Sequence, residues 1–145
     1  MDERQRHRRG MSVRRAVLGH AHVQRARRGE TYLNREFQDL ITRYAWGEVW
    51  SRPGLSRPTR SLLTLALMVA LGRIDELRLH VRGARNNGVT PDQIKEVLLH
   101  AAIYCGVPAA HAAFQAAEEV LAEMEAGAKV RRSRRPATPR KKRTR

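Results

Sequence analysis

Cys105 is the only cysteine in 145 residues. An intrachain disulfide, a Cys-x-x-Cys redox pair and a thiolate zinc cluster are therefore excluded. Long apolar runs are also missing. The longest, Leu62 to Leu71, includes Thr64 and reaches only about half the length of a bilayer crossing. The basic N-terminus is not followed by an apolar run and cleavage site, so no secretory signal is read there. A cytoplasmic protein without a membrane segment is expected. Strand signals are almost absent. No recognition-helix pattern, basic stripe with heptads or aromatic platform accompanies the basic residues, so no nucleic-acid-binding module is identified. His20 and His22 point to different helix faces, and His100 and His111 lack partners at ligand spacing. No metal site is expected.

What is abundant is positive charge, and its placement matters more than its size. The chain nets +15, of which residues 127–145 contribute +10 with no acid at all and residues 1–15 contribute +4. Residues 16–126 net only +1. A folded nucleic-acid binder concentrates basic charge on its body, whereas here it sits on the termini. The tail could meet phosphates non-specifically, but a solvated extension is the favoured reading.

Helical periods dominate the rest. Ser12 can cap a first helix carrying Val13, Ala16, Val17 and Val23 and ending near Gly29. Asn34 can start a second with Phe37, Leu40, Ile41, Tyr44 and Ala45. Ser51 to Pro58 is a loop by its punctuation. Thr59 to Leu71 reads as a third helix, apolar nearly all round and hence buried. A fourth covers about Arg73 to Asn86 and stops at Asn87-Gly88. Thr90-Pro-Asp-Gln93 starts a fifth, with Thr as N-cap, Pro at N1 and Gln at N3, running to about Cys105. Pro108 opens a sixth, continuing to about Glu125. The expectation is one all-α domain of about six helices over residues 11–126, a basic extension over 1–10, and a disordered basic tail over 127–145.

Glu76 and His80 lie four apart and so share one helix face. Such pairs also decorate solvated helices, but this one follows the most apolar helix and stands beside Leu77, Val81 and Ala84. A nearby carboxylate raises an imidazole's pKa and desolvation lowers it, so a proton donor near neutrality can result. Arg78, Arg82 and Arg85 form a cationic stripe that either solvates the helix or grips an anion. Arg60 opens a buried helix, where a cation opposes the dipole. Guanidinium matches carboxylate bidentately, so a dicarboxylate site needs one or two such residues. Tyr44-Ala-Trp46-Gly-Glu-Val-Trp50 holds both tryptophans, as core, subunit contact or an aromatic wall over a planar substrate. Cys105 reads as an inert small hydrophobe.

Three stretches together resemble the carboxymuconolactone decarboxylase family, on its decarboxylase branch. They are Phe37 to Trp50 with Arg57 to Met68, Glu76-Leu-Arg-Leu-His80 with Ala84 to Val89, and Ile103-Tyr-Cys-Gly-Val-Pro108. The likeness runs from about Val13 to Glu125. The related alkylhydroperoxidases carry a Cys-x-x-Cys pair followed by His; here Arg73 and Glu76 stand where those cysteines would be, and His80 remains. Thiol peroxidase chemistry is thereby excluded. Two departures stand out: the tail after Gly127 lies outside the family pattern, and His111 occupies a position where Asn is expected.

The resemblance implies an alkylhydroperoxidase-like helical fold that forms a homo-oligomer, typically a hexamer. It also implies cofactor-free decarboxylation of γ-carboxymuconolactone to the enol-lactone of β-ketoadipate in protocatechuate catabolism. On that reading His80 supplies the proton and Glu76 orients or tunes it. Arg60, Arg78 and Arg82 grip the substrate carboxylates, and Tyr44 and Trp46 line the site. Two alternatives stay open: a nucleic-acid-associated or scaffolding protein using the tail, and another decarboxylase or tautomerase of the same fold.

Overall fold

A computed structural model describes residues 1–134. Seven α-helices and no strand occur among the described residues: α1 (Glu3–Leu18), α2 (His20–Arg28), α3 (Arg35–Leu40), α4 (Arg57–Ala70), α5 (Ile74–Asn86), α6 (Pro91–Cys105) and α7 (Val107–Ser133). Between α3 and α4, residues Ile41–Val49 continue α3 as a π-helix. Its wider turn is visible where the Trp50 N–H donates to the Ala45 carbonyl, five residues back, at 2.8 Å.

The helix starts follow from local chemistry. Asp2 and Gln5 form a capping box at α1, with Gln5 N donating to Asp2 Oδ1 at 2.7 Å and Asp2 N to Gln5 Oε1 at 3.0 Å. Thr90 and Gln93 do the same at α6, with Pro91 following the cap. Ser56 Oγ accepts from Thr59 N at 3.2 Å and starts α4. Each cap satisfies amides that a helix end leaves orphaned, an effect of about 1 kcal/mol.

Two apolar clusters form the interior. The larger joins α4, α5, α6 and α7 through Leu65, Val69, Leu77, Val81, Ile94, Leu98, Ala113 and Val120. The smaller joins α1, α2 and the π segment through Val13, Val17, Leu18, Val23 and Trp46, with Trp50 and Leu79 packed against it. Helix α5 serves both, since Leu77 and Val81 enter the first cluster while Leu79 meets the second. Gly83 lets α5 approach α1, and Asn86 Nδ2 donates to the Val17 carbonyl at 2.7 Å.

α1 and the π segment cross with their backbones in contact. A Cβ on Gly10 would lie 1.8 Å from the Thr42 carbonyl oxygen, and one on Gly47 would lie 2.3 Å from that of Arg6. Beside the crossing, buried Arg14 donates to Thr42 Oγ1 at 3.0 Å and Gln38 Oε1 at 2.8 Å. Burial pushes its pKa below the ordinary guanidinium value, with the Glu30 charge opposing that push.

Four expectations need correction. The first helix is not capped by Ser12: α1 starts at Glu3 with Asp2 as its cap, so most of the basic extension over 1–10 is helical and Gly10 is buried. The expected first helix is two, broken at Gly19, whose φ of 88° lies where L side chains are strained. The helix after the Ser51–Pro58 loop is not buried all round: it buries Ser61, Leu65 and Val69 but leaves Leu63, Leu67 and Leu71 at least half exposed. The last helix does not stop near Glu125, since α7 runs to Ser133, while the seven α-helices among the described residues agree with the expected all-α domain of about six. The rest of the tail expected to be disordered, residues 135–145, lies outside the described residues. Among the described residues no helix is long and apolar enough to cross a membrane.

The crossing makes a stability prediction. Gly10→Ala forces two backbones apart and should cost about 3 kcal/mol in urea melts, at the upper end for overpacking. Gly29→Ala, whose Cβ would meet only ordinary contacts at 3.6 Å, should stay within about 0.5 kcal/mol of the parent. Equal stability of the two variants would contradict the crossing.

Candidate active site

The candidate residues Glu76 and His80 stand on the first two turns of α5. Asp75 and Glu76 occupy its first turn, where carboxylates complement the positive end of the helix. Glu76 is exposed, and His80, one turn later on the same face, is half-buried. The ring facing His80 comes from the end of the π segment. Trp50 lies with its centroid 6.5 Å from the imidazole and its plane within 12° of it. Trp50 is in turn held by Trp46, at 5.1 Å and 31°, and Ser51 Oγ donates to the Trp46 carbonyl at 2.7 Å. Thus the core of the α1–π unit anchors the aromatic partner of the histidine.

Burial is the largest influence on the His80 ring and pushes its pKa below the ordinary imidazole value. The Glu76 carboxylate pulls the other way, and His22 on α2 adds a further push down. The free protein therefore holds His80 mostly neutral at pH 7. An anion placed beside it would favour the imidazolium. His22 is itself lowered, first by burial and then by Arg25 and Arg14.

The other sequence-predicted residues do not all converge here. Arg60, on the first turns of α4, donates through Nη2 to the Arg52 carbonyl at 3.2 Å, two residues beyond Trp50. Its Nε is buried without a partner. Arg78 and Arg82 face α7, where they pair with Glu119 and Glu123. Both also line a hollow of about 510 Å³ with His20, His22, Arg25 and Leu79. Tyr44 lies at the start of α1, between the guanidiniums of Arg6 and Arg43, at 5.2 and 5.4 Å. Its hydroxyl donates to Glu3 Oε2 at 3.4 Å. Trp46 is 6% exposed and belongs to the core. A hollow of about 750 Å³ between α1 and α3 is lined by none of these residues.

Trp50 and His22 are the neighbours that sequence reasoning passed over. Trp50 had a signal, since it stands one turn after Trp46 and just before a Pro-Gly loop. Which of two tryptophans faces the site depends on the π winding, which periodicity does not reveal. Among the described residues no three His, Cys, Asp or Glu side chains cluster as metal ligands.

An all-helical protein with a histidine-centred site and no thiol pair is the class that this arrangement defines. Comparison with known proteins narrows it: the chain belongs to the carboxymuconolactone decarboxylase family, which it matches over residues 35–119. It is 52% identical over 124 residues to a 4-carboxymuconolactone decarboxylase of Acinetobacter baylyi, covering 86% of this chain and 92% of the relative. It is 49% identical over 115 residues to a nitrosuccinic acid decarboxylase of Metarhizium robertsii, covering 79% and 80% respectively. A shorter 4-carboxymuconolactone decarboxylase sequence from Pseudomonas putida is 56% identical over 48 residues, which is 33% of this chain and all of the relative.

The electrostatics can be tested without substrate. An NMR titration of the His80 ring should give a midpoint below the ordinary value of about 6.5. Glu76→Gln should lower it further, because the charge that raises it is gone, and His22→Gln should raise it. A midpoint at or above the ordinary value, or no response to Glu76→Gln, would contradict this picture.

Proposed function

We propose that the chain is a carboxy-lyase that converts 4-carboxymuconolactone to the enol-lactone of β-ketoadipate and CO2, a step of protocatechuate catabolism. The observation that carries this reading is the 52% identity to a decarboxylase of that name, over 92% of the relative's length. The substrate holds its own electron sink. As the C–C bond to the departing carboxylate breaks, its electron pair moves through the ring double bond into the lactone carbonyl. CO2 leaves and an extended enolate remains. A proton added to the ring carbon beside that carbonyl gives the enol-lactone. No cofactor is needed for this sequence. Nitrosuccinic acid, named for the fungal relative, is likewise a dicarboxylic acid with an internal acceptor, its nitro group.

In this reading His80, as the imidazolium, is the proton donor, and Glu76 favours that charged form. Its low pKa in the free protein leaves the donor form scarce until the dianionic substrate arrives and raises it. Arg60 is the foremost carboxylate grip, with a buried Nε still to be satisfied. Arg78 and Arg82 are secondary, since each already meets a glutamate. Trp46 acts through the core and Tyr44 through α1 rather than by touching substrate.

The functional form is a cytoplasmic homo-oligomer, hexameric as the family resemblance implies. Leu63 and Leu67 of α4 with Leu71 just after it, Leu99, Ile103 and Tyr104 of α6, and Val107 of α7 are all nearly half exposed or more. Covering such side chains with a second copy removes apolar area from water.

The test is a spectroscopic assay on enzymatically generated 4-carboxymuconolactone, with nitrosuccinate as the comparison substrate. His80→Asn should lower kcat by about 10²- to 10⁴-fold, as for loss of a general acid. Arg60→Met should raise KM roughly tenfold, and Arg78→Met or Arg82→Met less. kcat/KM should fall as pH rises through the lowered His80 midpoint, because the imidazolium is lost there. The fall in kcat should come at higher pH, since bound carboxylates stabilise the imidazolium. Background turnover of carboxymuconolactone by the parent chain, or full turnover by His80→Asn, would overturn the reading.

A further inference from the structure

The nearly parallel rings of Trp50 and His80 constrain how a proton can be delivered. An imidazolium N–H lies in the plane of its ring. Protonating an enolate carbon requires that bond to point along the carbon p orbital, perpendicular to the plane of the lactone. The lactone must therefore stand roughly at right angles to the imidazole. The indole of Trp50 is within 12° of the imidazole plane. A lactone stacked face-down on Trp50 would lie parallel to the N–H and could not receive the proton. The substrate must meet Trp50 edge-on.

We propose that Trp50 is the positioning residue for His80: its indole sets the plane in which the imidazole donates, and is not a stacking platform for the substrate. The edge-on lactone and the kinetic part rest on the decarboxylase reading, whereas the setting of the imidazole by Trp50 does not. The support for Trp50 comes from behind, through Trp46 at 5.1 Å and the clustered Val13, Val17, Leu18 and Val23. The π turn places Trp50 where its N–H reaches the Ala45 carbonyl at 2.8 Å, so the ring is fixed from its backbone outward. The charged and titratable groups acting on His80 are Glu76 on its own helix and His22 on α2. Neither Glu76 nor His22 makes a hydrogen bond to the imidazole that would fix its plane, and Glu76 is exposed. A flat, anchored wall does so by excluding the rotamers that would strike it.

The experiment compares Trp50→Leu, Trp50→Met and Trp50→Phe in the full chain, by steady-state kinetics and by NMR titration of the His80 ring. In the Leu and Met variants kcat should fall roughly 10- to 100-fold, in line with the loss of an oriented reacting group, while KM stays within about threefold. The His80 midpoint should rise toward its ordinary value as water enters, and the ring-current shift of the imidazole protons should vanish. Trp50→Phe, which restores a flat ring, should recover most of kcat. A raised KM with kcat intact would make Trp50 a substrate platform and overturn the proposal. So would a lowered melting temperature with kcat and the His80 titration unmoved, which is the mark of a merely structural role. Should the parent chain fail to turn over carboxymuconolactone, the NMR arm still decides. An unchanged His80 titration in Trp50→Leu and Trp50→Met sinks the proposal, and a raised midpoint that Trp50→Phe brings back down sustains it.

Discussion

The backbone crossing at Gly10 and Gly47 is the constraint on which the rest of the site depends. Only hydrogen fits where α1 meets the π segment, with the Thr42 and Arg6 carbonyls at less than a van der Waals contact from any added Cβ. That closeness brings Val13 and Val17 onto Trp46, seats Arg14 between Thr42 and Gln38, and fixes the end of the π segment. Trp50 emerges from that end beside His80. A loosened crossing would therefore reach the imidazole through two tryptophans, without touching α5 directly.

Helix α5 receives the other half of its support from the four-helix cluster. Its Leu77, Val81 and Ala84 are fully buried, while Leu79 belongs to the opposite cluster. Two cores acting on two faces leave α5 little freedom to roll, so the strip bearing Glu76 and His80 is presented at a set angle. The cations distribute accordingly. Arg78 and Arg82 fall on the face toward α7 and meet Glu119 and Glu123 at partly exposed positions, where an ion pair adds little stability. Arg60, on α4, meets the Arg52 carbonyl two residues beyond Trp50 and is left with a buried Nε unsatisfied. An unsatisfied buried donor is costly, and a bound carboxylate would relieve it.

Much of this was readable from residues alone, and the gaps have physical causes. The caps at Thr90 and Gln93, the stop near Gly88 and the shared face of Glu76 and His80 are local signals, and local chemistry determined them. The family followed from the same central stretch. The helical start at Glu3 is hidden by the basic composition of the first ten residues, and the burial of Gly10 comes from a contact with a segment more than thirty residues away. The break at Gly19 needed a backbone angle that spacing does not supply. On α4 an apolar run all round the helix suggests an interior position, yet Leu63 and Leu67, with Leu71 just past its end, face outward. Trp46, Arg78 and Arg82 are grouped with His80 by sequence, whereas the structure sets Trp50 beside the imidazole and turns the two arginines toward α7, for one shared reason. Each depended on what lies opposite: a π turn in one case and two glutamates on α7 in the other.

These elements combine into one claim, that a half-buried imidazole held by Trp50 delivers the proton that replaces CO2. Turnover in D2O reads that delivery directly, because the ring carbon beside the lactone carbonyl becomes a CHD centre whose face can be assigned by NMR at short reaction times. The parent chain should place deuterium on a single face, and His80→Asn should turn over slowly and label both. Labelling of the same single face at an undiminished rate by His80→Asn would contradict the account.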